Sequence, residues 1–210
     1  MASANRGKFI SLEGIEGVGK TTNIRFLDDL LADRGIRCEL SREPGGTERA
    51  EAIRQLVLEP ADEELCSLSE LLLMFASRAQ HVEHRIRPCV ERGDWLICDR
   101  FTDATLAYQG YGRGQSLKRI RTLADWAHGD LWPDKTLLLD LPYAVSVARR
   151  EARQETDRFE QQRLEFFDKV RQGYLDLAAA EPERFVVINA DQPLKNVQRD
   201  IASAIGTILD

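Results

Sequence analysis

The segment Gly14-Ile15-Glu16-Gly17-Val18-Gly19-Lys20-Thr21 restricts the fold more than any other stretch of the chain. It fits G-x-x-x-x-G-K-[ST], a loop that wraps the phosphates of a nucleoside triphosphate between a strand and a helix. Gly14 and Gly19 let backbone approach phosphate oxygens, with N–H groups turned inward as donors. Lys20 supplies a point charge for the β- and γ-phosphates, and the Thr21 hydroxyl can ligate Mg²⁺. Ile15, Glu16, Gly17 and Val18 form the body of this ATP-binding loop, and Thr22 carries it into the helix. A ligand-free Gly-rich turn is the plainer alternative, and the flanks argue against it. Phe9-Ile10-Ser11-Leu12 reads as a buried strand. Beyond the loop Ile24, Leu27, Leu30 and Leu31 recur at helical spacing, and Arg34-Gly35 marks a stop. A helix starting here aims its positive dipole end at the anion.

Strand and helix patterns alternate along the rest of the chain. Strand candidates at 8–13, 37–41, 95–99, 136–141 and 185–188 are short and rich in Ile, Leu, Val or Phe. Helical patterns occupy about 20–34, 48–58, 68–92, 116–128, 143–153, 161–180 and 194–209. This order predicts an α/β, doubly wound parallel sheet of about five strands flanked by helices. With 210 residues, 43% of them hydrophobic, the chain suits one domain over 1–210. Glu43-Pro44-Gly45-Gly46 must turn, and Gly110-Tyr111-Gly112-Arg113-Gly114 reads as a glycine-dense loop. Ligands of open α/β sheets collect beyond the carboxyl ends of the strands. The phosphate loop, the Pro-Gly-Gly turn and the segment after Asp99 all fall there and define one cleft.

Several function classes are disfavoured. The sequence holds no run of about 18 apolar residues, which predicts no membrane span. The polar stretch from Met1 to Lys8 resembles neither a signal nor a transit peptide, so a cytoplasmic location is expected. A net charge of −6 opposes nucleic acid, so an anionic ligand must be held by local arginines and backbone donors. Cys38, Cys66, Cys89 and Cys98 form no C-x-x-C pair, and Cys38 and Cys98 read as small buried hydrophobes. His81 and His84 could in principle share a metal, but with no third ligand in view a solvated polar face is the favoured reading.

Three groups of residues could carry chemistry. Asp99-Arg100-Phe101 ends the apolar strand Trp95-Leu96-Ile97-Cys98. There Asp99 suits a Walker-B-like carboxylate for Mg²⁺, or else a helix cap. Arg100 would clamp a phosphate at the cleft mouth, or lie on the surface. On the 68–92 helix, Met74, Phe75 and Arg78 fit either an apolar core face with Arg78 in solvent, or a base pocket with a guanidinium donor. Arg149, Arg150, Arg153 and Arg158 sit in a mixed-charge segment, 149–163, that is either a solvated face or a lid bringing positive charge to a phosphoryl group.

Taken together these residues resemble bacterial thymidylate kinases, among the P-loop nucleoside-monophosphate kinases. The likeness covers nearly the full chain. It rests on Gly14–Thr21, Arg42-Glu43-Pro44-Gly45-Gly46-Thr47, Asp99-Arg100-Phe101, Ala107-Tyr108-Gln109-Gly110 with Gly112-Arg113-Gly114, and Asp157-Arg158-Phe159-Glu160. The resemblance implies Mg²⁺-dependent transfer of the ATP γ-phosphoryl group to dTMP, and a homodimer. It assigns Glu16 to the deoxyribose 3′-OH, and Arg42, Arg54 and Arg100 to the acceptor phosphate. Arg78 would read a thymine carbonyl, Thr105, Tyr108 and Gln109 would complete the base and sugar pocket, and Pro44 would line the sugar side. One branch of the family carries a catalytic arginine in the phosphate loop. Gly17 and Val18 stand there in this chain, so the likeness is to the branch with lid arginines, matched by Arg149 and Arg153. The family's stacking aromatic falls at Met74, with Phe75 one place later, and either could cover the base. A kinase for another nucleoside monophosphate or a deoxynucleoside is the alternative. A non-enzymatic nucleotide-binding module is a further one, but no N-K-x-D element for guanine occurs.

Overall fold

A parallel sheet organises the molecule, with β1 (Phe9–Glu13) at its centre. The computed structural model describes residues 6–59, 62–151 and 160–209, with side chains at 149–151 and 160–163 excepted. Among them β2 (Cys38–Arg42), β3 (Trp95–Asp99), β4 (Lys135–Asp140) and β5 (Phe185–Asn189) complete a sheet in the order β2-β3-β1-β4-β5. Every strand pairing is parallel. The chain leaves β1 for β2 and returns to β3 between them, then crosses to β4 on the other side. The topological switch therefore lies at the carboxyl end of β1, where the phosphate loop begins. Register makes the rim level: Asp99 is opposite Leu12 on one side and Arg42 on the other.

Period-two alternation buries both sheet faces. Ile10, Leu12 and Ile97 join one apolar cluster, and Phe9, Leu96 and Cys98 join another. Each such side chain contributes about 1.5–3 kcal/mol by leaving water. Helix α1 (Lys20–Ala32) follows the phosphate loop, and α2 (Glu48–Leu58) starts at Thr47, whose hydroxyl accepts from the Ala50 N–H. Helix α3 (Ser67–His81) runs through a π-helical turn, Val82–Ile86, into α4 (Arg87–Glu91). Beyond β3 come α5 (Thr102–Thr105), a π-helical stretch Leu106–Gly112, and α6 (Leu117–Ala127). Helices α7 (Tyr143–Glu151), α8 (Glu160–Ala180) and α9 (Leu194–Gly206) complete the chain.

The five strand candidates lie within one residue of the observed strands, and the sequence correctly indicates a flanked parallel sheet. Three local readings need correction. The expected loop at 110–114 is helical through Gly112. Glycine serves packing there: a Cβ at Gly112 would stand 2.7 Å from Phe166 Cε2 and 2.8 Å from Val170 Cγ2, so its absence lets α8 lie close. The expected solvated face at His81 is overturned, because that side chain is fully buried, whereas His84 is exposed. Cys98 is buried as expected, but Cys38 is only half-buried.

Candidate active site

The phosphate loop requires glycine at its first position. Gly14 has φ +135°, and a Cβ there would meet the Leu139 carbonyl oxygen at 2.5 Å. No side chain caps the N-terminus of α1, which leaves its first-turn N–H groups for a ligand. Lys20 Nζ donates to the carbonyls of Gly14 and Ile15 at 3.4 Å each, so the ammonium lies along the loop. Burial, with help from the Arg100 charge, lowers it to about 8, against the pull of Asp99, Glu13 and Glu16. Ile15 and Val18 are buried under the loop, while Glu16, Gly17, Thr21 and Thr22 are exposed.

Asp99 ends β3 beside this loop, and its Oδ1 is buried without a hydrogen-bond partner. An orphaned carboxylate oxygen is what a hard cation would satisfy. Among the described residues no group of three or more His, Cys, Asp or Glu side chains could hold a metal. The Asp99 carboxylate, with the Thr21 hydroxyl near the start of α1, is a donor set of the kind that fits Mg²⁺, which keeps several waters and takes one or two protein ligands plus phosphate oxygens.

Arg100 turns the chain away from the sheet at φ +70°, the one positive φ outside glycine among the described residues. Its Nη1 donates to Tyr174 Oη at 3.1 Å and its Nη2 to Tyr108 Oη at 2.9 Å. Glu13 secures the same residue from below. One carboxylate oxygen accepts from the Phe101 N–H and the other from the Tyr174 hydroxyl, each at 2.7 Å. Burial, with Asp103 adding, pushes the Glu13 carboxyl up to about 8 despite Arg100.

A cavity of about 390 Å³ opens beside Arg100, with Glu16, Pro44, Arg54, Met74, Tyr108 and Phe166 in its wall. Arg78 reaches into it from α3 and is only 2% exposed. The guanidinium is immobilised on three sides. Nε donates to Glu43 Oε2 at 2.7 Å, Nη2 donates to Thr105 Oγ1 at 3.0 Å, and the Phe75 ring lies 4.7 Å from its centre. Nη1 is buried with no partner. Glu43 is in turn held by His81 Nδ1 at 2.9 Å, and His81 Nε2 meets Ser41 Oγ at 2.7 Å. Burial opposes the Glu43 charge, but Arg78 and His81 outweigh it and keep the carboxyl below its usual range. Gln109, also in the wall, donates from Nε2 to Glu70 at 2.9 Å and leaves Oε1 buried and unpartnered.

The structure thus gathers Glu16, Pro44, Arg54, Met74, Arg78, Arg100, Tyr108 and Gln109 around one cavity. Arg54 Nη1 donates to the Pro44 carbonyl at 2.8 Å. Thr105 is fully buried behind Arg78, and Phe75 is 4% exposed beneath it, so neither stands in the wall. Arg42 lies outside the wall too, exposed and paired with Glu51 at 2.9 Å. Arg149 belongs to α7 by its backbone, while Arg153 and most of the 149–163 segment lie outside the described residues. Sequence reasoning gives no role in this site to Glu13, Glu43, Glu70, His81, Tyr174 or the pair Phe166 and Phe167. The polar residues among them meet hydrogen-bond partners 35 to 161 positions away, and no local spacing announces such contacts.

An anion cradle on β1, facing a guanidinium-lined cavity across the same sheet rim, defines a P-loop kinase of the nucleoside-monophosphate type. The thymidylate kinase family model matches residues 12–201, and the chain belongs to that family. It is 56% identical over 199 residues to a thymidylate kinase of Chromohalobacter salexigens, covering 94% of each chain. It is 52% identical over 204 residues to one from Pseudomonas fluorescens, covering 97% of each. The crystal structure of thymidylate kinase from Ehrlichia chaffeensis superposes with a TM-score of 0.77 at 34% identity, over 95% of this chain and 99% of that one.

Proposed function

We propose that this protein transfers the γ-phosphoryl group of ATP to dTMP, giving dTDP and ADP. The observation that carries the acceptor is a pair of unpartnered atoms on two residues that line the cavity. Arg78 Nη1 is a donor and Gln109 Oε1 an acceptor, both cut off from water. Thymine's imide edge is their complement: O4 accepts from Arg78, and N3–H donates to Gln109. Cytosine would oppose both, with an amino group at position 4 and an acceptor at N3. A site built for such hydrogen bonds rejects a mismatched analogue strongly, because its own buried groups stay unpaired. Met74, Phe166 and Phe167 supply apolar walls for the ring. Met74 covers the base in this reading, and Phe75 backs the arginine instead.

Phosphoryl transfer asks the protein mainly for positioning and for positive charge around the equatorial oxygens. The loop amides and Lys20 hold the donor phosphates. Arg54 and Arg100 face the acceptor phosphate, with Arg42 within reach at the rim and Glu16 at the sugar. Thr21 and Asp99 would hold Mg²⁺, whose chemistry there is to neutralise charge on the phosphates. Since Gly17 and Val18 bring no cation to the loop, Arg149 and Arg153 of the lid complete the set. Helices α2 and α3 pack together and leave Leu56, Leu68 and Leu72 exposed, which supports a homodimer through these two helices. Among the described residues no helix is long and apolar enough to cross a membrane.

The test is ADP release over an acceptor panel of dTMP, dCMP, dUMP and thymidine. Turnover with dTMP well above dCMP and thymidine is expected. A preference for dCMP or for the bare nucleoside overturns the reading.

A further inference from the structure

We propose that Glu70 decides which end of the Gln109 amide faces the base, and is therefore the positioning residue behind pyrimidine selectivity. This rests on the cavity being the thymine site. The two ends of a glutamine amide have nearly the same shape, so the cavity wall cannot choose between them. Only a hydrogen-bond partner can.

Glu70 is that partner. It lies in the first turn of α3, where the helix dipole favours negative charge. One carboxylate oxygen accepts from Gln109 Nε2 at 2.9 Å, and the other accepts from Arg113 Nη1 at 2.5 Å. A carboxylate offers acceptors only, so Gln109 must turn its NH₂ toward Glu70. Its Oε1 is then left buried and unpaired on a residue that lines the cavity. Main chain fixes the other end of the residue, where the Gln109 carbonyl accepts from the Gln115 N–H at 2.9 Å. Arg113, in turn, prevents Glu70 from swinging away.

Replacing Glu70 by glutamine keeps the shape and inverts the logic. Arg113 is a donor and claims the new amide oxygen. The new NH₂ is left facing Gln109, which must rotate to offer Oε1, and Gln109 Nε2 then points at the base. A donor there repels thymine N3–H and suits cytosine N3. Arg78 still opposes the cytosine amino group, so selectivity narrows without reversing.

The experiment compares kcat/KM for dTMP and dCMP in wild type, Glu70→Gln, and the swap Glu70→Gln/Gln109→Glu. In the swap, the carboxylate now at position 109 accepts from the amide now at position 70 through one oxygen. Its other oxygen returns an acceptor to the base. Glu70→Gln should lower the dTMP-to-dCMP ratio by roughly tenfold or more, with KM for ATP and Tm little changed. The swap should restore the ratio, and it is read even if the single variant folds poorly. An unchanged ratio in Glu70→Gln, equal loss with both acceptors, or a swap no better than the single variant overturns the proposal. A wild type without preference for dTMP overturns the cavity reading itself, which separates the two failures.

Discussion

Charge and hydrogen bonding at single residues lead to three expectations. Lys20 is the one side-chain cation lying along the phosphate loop among the described residues, and loss of one such stabilising donor costs about 10²–10³ in rate. Lys20→Ala should show that loss in kcat, with Tm preserved because the side chain belongs to neither apolar cluster. Arg78→Ala should instead raise KM for dTMP far more than KM for ATP, since Arg78 lines the acceptor cavity and keeps one nitrogen unpaired. Equal effects on both substrates would remove Arg78 from base recognition. His128 sits outside the site, and its burial should make stability sensitive to acid. Its Nε2 meets Thr102 Oγ1 at 2.9 Å in a buried setting. Burial first, then the Arg78 and Arg184 charges against Glu43, lower the imidazole to about 4. An unfolded chain protonates this group near pH 6.5, so between about 6.5 and 4 it binds more protons than the fold does. Stability should therefore fall as pH drops through that window, by up to about 3 kcal/mol from this residue. Urea midpoints measured from pH 4 to 7 should show a shallower slope in His128→Gln than in wild type.

At the scale of elements, one helix contact sets the cavity's far wall. The π-helical stretch Leu106–Gly112 presents Tyr108 and Gln109 to the cavity, and α8 presents Phe166 and Phe167. The two can approach because Gly112 carries no Cβ, and Gly173 on α8 plays the same part against Tyr111. Gly112→Ala should cost about 1–3 kcal/mol by overpacking against Phe166 and Val170, seen as a lower Tm. Gly206→Ala, in open space at the end of α9, should leave Tm unchanged or slightly raised. A Gly112→Ala protein as stable as wild type would show that α8 is free to shift. Helix α3 carries comparable weight, because Glu70, Met74, Arg78 and His81 all project from it toward the acceptor side. Their spacing of three or four residues puts them on one face, of which the sequence reading joins only Met74 and Arg78 with nearby Phe75. The face meets a cavity at one end and one buried carboxylate, Glu43, at the other, and periodicity cannot tell a core from a pocket.

For the whole molecule, the sheet rim brings the phosphate loop and the guanidinium-lined cavity to one cleft, and the proposed reaction draws further positive charge from the 149–163 segment. Arg153→Ala should lower kcat steeply with KM for dTMP little altered, and unchanged turnover would take Arg153 out of the mechanism. Sizing by light scattering should give a dimer, and charged replacements at Leu68 and Leu72 should give monomer if the α2–α3 face is the contact. The sequence alone determined the phosphate loop, the order of strands and helices, and hence the rim at which a ligand must sit. Those are local matters: backbone room at glycine, period-two burial and helical periodicity leave direct marks on neighbouring residues. Tertiary structure alone decided which polar atoms stay unpaired. Arg78 Nη1 and Gln109 Oε1 are free because Glu43, Thr105 and Glu70, none adjacent in sequence, occupy the rest of each side chain. Hydrogen bonding in a water-excluded site is settled by donors and acceptors that meet only after folding, and so a residue's type fixes its capacity while its neighbours in space fix what remains to bind.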